Sequence, residues 1–338
     1  MTFEPASLTA GFCRRLAGAI SLGLVASTTP AVAQDSGDVV EHTAPPPAAF
    51  GRMAPHEMVQ GANAGLVMEW ARDPAEELED VRLLSAALAE LAPQRPGTVD
   101  AYIVSVALDS DPVFAREARE AANVLSRRYD GAGRTIVLAG PDGRSGPPLA
   151  RGSLRSLEIA LARMAELADP QEDAVILYIT SHGTPNGVFF HYGDQAYGGI
   201  SPSRLQAIFA GLEIRNRLVI VNACFSGIFV SGLSSPDSAI VSASAAGLTS
   251  FGCDAGNDWT YFGDAFVNQA LRMPAGLEDA FQTASRQVYE WEKTDNLMAS
   301  QPQISIGANT ARWLGPLEAR MPQEAGEPVG RPARPDGR

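Results

Sequence analysis

Four histidines and three cysteines are the scarce reactive side chains of this 338-residue chain. His42 and His56 lie in or beside a proline-rich stretch, and Cys13 precedes a short apolar run near the N-terminus. That leaves His182, His191, Cys224 and Cys253 in the regularly patterned region. His182 follows directly on the apolar run 174–179, in Ser181-His182-Gly183. Cys224 follows directly on the apolar run 218–221, in Asn222-Ala223-Cys224-Phe225-Ser226-Gly227. A thiol beside an imidazole is a nucleophile beside its base. Only the thiolate attacks, and a free cysteine with a pKa of about 8.5 gains thiolate character when an imidazolium stands close. The thiolate would attack a carbonyl carbon, and His182 would then protonate the leaving amine. Gly183 fits beside the base because bare backbone can approach substrate closely. Its N–H and that of Cys224 could hold the oxyanion.

Other chemistries find little support. There is no H-E-x-x-H or C-x-x-C pattern, so no metal site is expected, and no organic cofactor either. No G-x-S-x-G elbow marks a serine hydrolase. The loop from Gly140 to Gly146 lacks phosphate-loop spacing and lysine. The single lysine, Lys293, stands among Glu290, Glu292 and Asp295, as on a solvated helix. His191 sits within an aromatic run (Phe189, Phe190, Tyr192), where a structural role is expected. A Cys224–Cys253 bridge is open to an oxidising compartment, but a nucleophile explains Cys224 better. A net charge of −13 argues against a nucleic-acid partner.

The elements around these residues alternate between strand and helix. Strands are expected at 101–107, 135–138, 174–179, 187–192, 218–221, 239–242 and 303–306. Helices are expected at 112–128, 153–167, 203–212, 259–272 and 276–293. Runs 174–179 and 218–221 are continuously apolar, as strands buried on both faces are. The stretch between them suits one crossover helix. His182 and Cys224 would then emerge at the same carboxyl edge of a parallel sheet, where ligand sites of open α/β folds lie.

Arg14 and Arg15, the apolar run 16–25 and Ala31-Val32-Ala33 read as an export signal cleaved after Ala33. The expected organisation is signal peptide 1–33, proline-rich linker 34–55, helical accessory segment 56–97, catalytic domain 98–312 and disordered tail 313–338. The accessory helices are expected at 56–70 and 74–91. The mature protein is expected in the periplasm or secreted, without stable membrane insertion. Its oligomeric state stays open.

The paired motifs resemble the legumain-type cysteine peptidases, peptidase family C13 of the caspase-like clan, in its bacterial exported branch. That clan carries His-Gly after one strand and Ala-Cys after the next. The run from Ser244 through Cys253-Asp254 to Asp258-Trp259-Thr260-Tyr261-Phe262-Gly263-Asp264 is similar too, as are Phe114-Ala115-Arg116-Glu117 and Ser300-Gln301-Pro302-Gln303. The resemblance spans roughly residues 98 to 310. It implies an α/β, caspase-like three-layer fold with a mostly parallel central sheet flanked by helices. It also implies hydrolysis of protein or peptide substrates after Asn, sometimes Asp. His182 matches the catalytic histidine and Cys224 the nucleophile. Arg116 and Asp264 match the arginine and acid that bind the residue before the cut, and an amide side chain suits such a pair. Legumain has an acid two residues before the nucleophile, where this chain has Asn222, expected to contact substrate in its place, so the preference between Asn and Asp stays open. The asparagine that orients the histidine in legumain aligns with Phe114, which leaves a backbone carbonyl as the expected partner of His182. An inactive protein-binding module and a transpeptidase remain the alternatives to a hydrolase.

Overall fold

Strand residues of alternating orientation bury two helical layers against one sheet. The structure, a computed structural model, describes residues 39–44, 53–144 and 146–334. The signal peptide expected at 1–33 lies outside them. The main sheet contains β2 (Ala101–Ala107), β3 (Thr135–Leu138), β4 (Ala174–Thr180), β8 (Arg217–Asn222), β9 (Ser238–Ser242) and β10 (Gln303–Ile306), in the order β10-β9-β8-β4-β2-β3. Only β10 runs antiparallel to its neighbour. Leu177 and Ile179 of β4 face one layer, while Ile176 and Tyr178 face the other, as a period of two requires.

The first layer holds α4 (Leu154–Leu167), α5 (Pro202–Gly211) and α6 (Gly227–Leu233), through Leu157, Leu161, Leu205 and Phe229. The second holds α3 (Pro112–Arg128), α7 (Leu277–Thr294) and α8 (Ala311–Ala319). Leu277, Phe281, Ala284 and Val288 recur at helical spacing and bury the apolar stripe of α7. Helix starts are locally encoded. Ser153 and Ser201 accept N–H bonds from the third residue of α4 and α5, and Pro112 and Pro202 open α3 and α5. This is the three-layer α/β architecture that the resemblance implied, built on the mostly parallel sheet that the alternating pattern predicts.

Four differences bear on the site. Helix α1 (Pro55–Ala64) stops at Gly65, and 67–69, expected to be helical, form strand β1 (Val67–Glu69). After α2 (Pro74–Ala89) and the main strands, a second antiparallel sheet of order β1-β7-β6-β5 uses β5 (Gly183–Thr184), β6 (Gly187–Tyr192) and β7 (Ala196–Ile200). The accessory segment therefore joins the hairpin that starts at His182. Strand β7 escaped the sequence reading because Gly198 and Gly199 interrupt its apolar pattern.

Second, the helix expected at 259–272 is a run of wide π-type turns at Gly263–Gln269 and a tight turn at Ala270–Arg272. Third, the tail expected to be disordered begins with α8 and then packs down. Val329 accepts from the Trp259 indole at 2.8 Å, and its N–H donates to Asn268 at 2.9 Å. Composition marks backbone without periodicity; it does not show whether other side chains will hold that backbone. Fourth, residues 39–44 of the expected linker also lie against the domain, as described below. Among the described residues no helix is long and apolar enough to cross a membrane.

Candidate active site

Three strands of the main sheet end level at one edge. Ala107 of β2 pairs beside Thr180 of β4, and Thr180 beside Asn222 of β8. The chain then delivers Asp109 and Asp111 from β2, His182 from β4 and Cys224 from β8 to that carboxyl edge. This is where the sequence places the thiol and the imidazole, and where such sheets bind ligands.

The loops after β4 and β8 meet at backbone level. A Cβ on Gly183 would fall 1.8 Å from the Cys224 carbonyl oxygen, so only hydrogen fits there. The glycine is thus required by the backbone of Cys224 itself, before any substrate is considered. Phe225, directly after the cysteine, has φ of 58°, a conformation bulky residues avoid. Its N–H bond to the Leu248 carbonyl at 2.8 Å holds the turn. The partly buried Cys224 sulfur accepts from the Ser250 N–H at 3.3 Å and lies 3.5 Å from the Ser250 carbonyl.

His182 has a partner the sequence reading missed. Its Nε2 faces Asp111 Oδ2 at 3.4 Å, where a backbone carbonyl was expected. The Phe114 ring meets it edge-on at 5.0 Å between centroids. Cys253 is among the groups that raise the imidazole's pKa, which places this unassigned cysteine in the neighbourhood of the ring. Burial works against a charged ring, but the Asp111 carboxylate, the Cys253 thiol and the Asp109 charge outweigh it and hold the imidazolium up to about 10. The ring is therefore a proton donor at neutral pH. Its charge stabilises the fold fully below the unfolded histidine's pKa of about 6.5. That contribution is lost as pH rises through about 10. Asp111→Asn is expected to move the alkaline limb of a pH–kcat/KM profile from near 10 toward the ordinary histidine value. A limb that stays in place would remove Asp111 from this role.

Beneath these loops lies a buried polar hub. Glu117 Oε1 accepts from Tyr178 (2.6 Å), Thr180 (2.7 Å) and Asn222 Nδ2 (2.5 Å), while Oε2 accepts from the Thr260 N–H (3.0 Å) and hydroxyl (2.8 Å). Burial, then the Glu117 charge, holds the Tyr178 hydroxyl protonated far above the ordinary phenol range. A Cβ on Gly263 would lie 2.0 Å from Glu117 Oε2, so the hub also explains that glycine. Asn222, expected to contact substrate, is buried within this hub instead.

Arg116 lies on the same side of the sheet. Its Nε donates to the Asp142 carbonyl at 3.2 Å, and Nη1 to the carbonyls of Ala255 (3.2 Å) and Asn257 (2.9 Å). Asp264, its expected acidic companion, is fully buried and accepts from Asn268, Gln269 and the Ala333 N–H. The acid beside Arg116 is Asp258, at 3.9 Å, which also binds Arg144 at 2.5 Å and lies 3.8 Å from Arg331. Asp258 was within the quoted motif, six positions before Asp264; only the path of the loop distinguishes them. His191 stacks on His42 and meets the Tyr197 ring at a tilt of 32°.

The peptidase C13 family model matches residues 157–311, a stretch that holds both His182 and Cys224. The resemblance to C13 peptidases read from the two motifs is therefore borne out at the level of the family, and it supports a cysteine peptidase. Asp109, Asp111 and Arg116 precede the matched stretch. Among solved structures the chain is similar to caspase-1 from Spodoptera frugiperda, at 14% identity over 64% of this chain and 88% of that one, with a TM-score of 0.42. No curated protein sequence matches the chain.

Proposed function

We propose that this C13-type chain is an endopeptidase that cuts peptide bonds after Asn or Asp through a Cys224 thioacyl-enzyme. The observation that carries the reading is the delivery of His182 and Cys224 by two adjacent parallel strands, with the backbones of Gly183 and Cys224 in contact. The Cys224 thiolate attacks the carbonyl carbon. The oxyanion forms against the N–H groups of Cys224 and Gly183, and the His182 imidazolium gives its proton to the leaving amine. Neutral His182 then takes a proton from water, which hydrolyses the thioester and returns Cys224 as thiolate. Asp111 acts through His182, holding its ring and its proton.

Arg116, Arg144 and Arg331 around the single Asp258 favour an oxygen-bearing side chain before the cut. A peptide library varied at that position tests this. Cleavage is expected after Asn and Asp, and Arg116→Met is expected to lower kcat/KM by about 10–100-fold, the worth of one or two charge-assisted hydrogen bonds. Equal cutting after leucine or lysine, or an unchanged Arg116→Met, would remove Arg116 from the pocket.

A further inference from the structure

Residues 39–44 lie across the edge that carries the site. The Val39 side chain packs at Gly143, with Cγ2 2.8 Å from where a Cβ there would stand; Arg116 Nη2 is 3.8 Å from the same point. The Val40 carbonyl accepts from Ser110 Oγ at 3.1 Å. Asp194 accepts from the N–H groups of Thr43 (3.0 Å) and Ala44 (2.9 Å) and from the Thr43 hydroxyl. Between these anchors, His42 Nδ1 lies 3.2 Å from the Gly193 carbonyl. Its Nε2 lies 2.9 Å from Asp109 Oδ1 and 3.5 Å from Asp111 Oδ1.

These partners fix the charge of the ring. A carbonyl only accepts, so Nδ1 carries a hydrogen. Carboxylates only accept, and the Ser110 hydroxyl 3.4 Å from Nε2 donates to Val40, so Nε2 carries one too, and the ring is an imidazolium. The groups facing it are Asp109 and Asp111 from the β2–α3 loop, His191 from β6 and Asp194 from the β6–β7 turn. Asp109 is fully buried, yet His191 and His42 hold its carboxyl well below the usual range. Burial opposes the His42 charge, but the Asp109 carboxylate outweighs it and raises the ring's pKa. The His42 and His191 rings stack 3.5 Å apart and 19° from parallel. His42, Asp109 and His191 offer ligand atoms within 4.8 Å of one another, but a His42 ring that carries a hydrogen on both nitrogens has no lone pair to give an ion, so the cluster suits a proton-bearing clasp better than a metal cage. Asp111 is shared, with one oxygen toward His42 and the other toward His182.

We propose that residues 39–44 are an intramolecular strap that competes with substrate for the active-site edge and is latched by His42 on Asp109 and Asp111. The proposal rests on the peptidase reading above. A substrate must reach Arg116 and His182, and the strap holds a neighbour of each. Because docking raises the His42 pKa, the latch is fully formed below the free histidine's value of about 6.5 and is lost as pH rises through the docked value. The strap is closed in acid and opens toward alkaline pH.

The full chain, His42→Gln and a variant lacking 39–44 are compared at about pH 5.5 and about pH 8.5, on either side of an ordinary histidine's pKa. Hydrogen exchange reads protection of the Thr43 and Ala44 amides. Iodoacetamide followed by peptide mapping reads Cys224 reactivity, and a peptide ending in Asn or Asp before the cut reads KM. At acid pH, His42→Gln is expected to lower amide protection by about 10–100-fold, the effect of losing one charge-assisted hydrogen bond. Both variants should alkylate Cys224 faster and lower KM with kcat unchanged, and the differences should shrink at alkaline pH. Unchanged protection in His42→Gln overturns the latch. Unchanged alkylation, or a raised KM, in the deletion variant overturns the competition and makes the strap a positioning element. If none of the three proteins turns over peptide, the peptidase reading fails, while protection and alkylation still decide the strap.

Discussion

Cys224→Ala is expected to abolish peptide turnover, with a loss of at least about 10⁴-fold in kcat, the scale on which removing a covalent nucleophile acts. Cys253→Ala is the matched control, because Cys253 is the other cysteine whose field the His182 ring feels. Its removal is expected to leave turnover within about tenfold, the effect of losing one polar neighbour of the ring. The two variants separate proximity to the base from nucleophilic function. Cys224 follows a buried strand on a strained turn, with Phe225 at φ 58° and Gly183 backbone packed on its carbonyl. Cys253 instead packs partly buried against the cluster of Val113 and Phe114. Stopped assays with mass-spectrometric detection of product on both variants decide the matter. Turnover that survives Cys224→Ala and vanishes in Cys253→Ala would exchange their roles.

Glu117→Ala is expected to destabilise the protein by about 3–5 kcal/mol, because it leaves buried donors on Tyr178, Thr180, Asn222 and Thr260 without an acceptor. For a chain of this size that lowers Tm by roughly 10 °C. The effect extends to the site. Glu117 ties α3 to β4, β8 and the loop through Thr260, which also carries Cys253 and Asp258. Glu117→Gln keeps the shape and one acceptor oxygen, so about half the loss is expected. Thermal unfolding of both variants, followed by circular dichroism, measures this. A Glu117→Ala protein as stable as the parent would show that water replaces the carboxylate without cost, and the hub would lose its structural role.

The reach of the sequence can be judged from single residues. Strands β2, β4 and β8 were legible because each is a short, largely apolar run with turn signals beside it, and burial on both faces leaves few polar positions to obscure the pattern. His182 and Cys224 were legible because their motifs sit directly on those runs. Asp111 was not, although it lies in the loop after β2, because nothing local tells a loop carboxylate which histidine it will face. Asp258 and Asp264 show the same limit. Both stand in one motif, yet one meets Arg116 and the other is buried under Ala333.

The amino-acid order by itself determined the alternation of elements, the parallel neighbours β4 and β8, and the thiol and imidazole at their shared edge. These follow from hydrophobic period and connection length, which are local properties of the chain. Only the tertiary structure decided that His42 reaches Asp109 across 67 positions, that Arg116 is held by Asn257 across 141, and that the tail closes over Trp259 and Asp264. Such pairings depend on where loops without periodicity come to rest. That is set by the packed layers beneath them, so no stretch of the sequence read alone contains it.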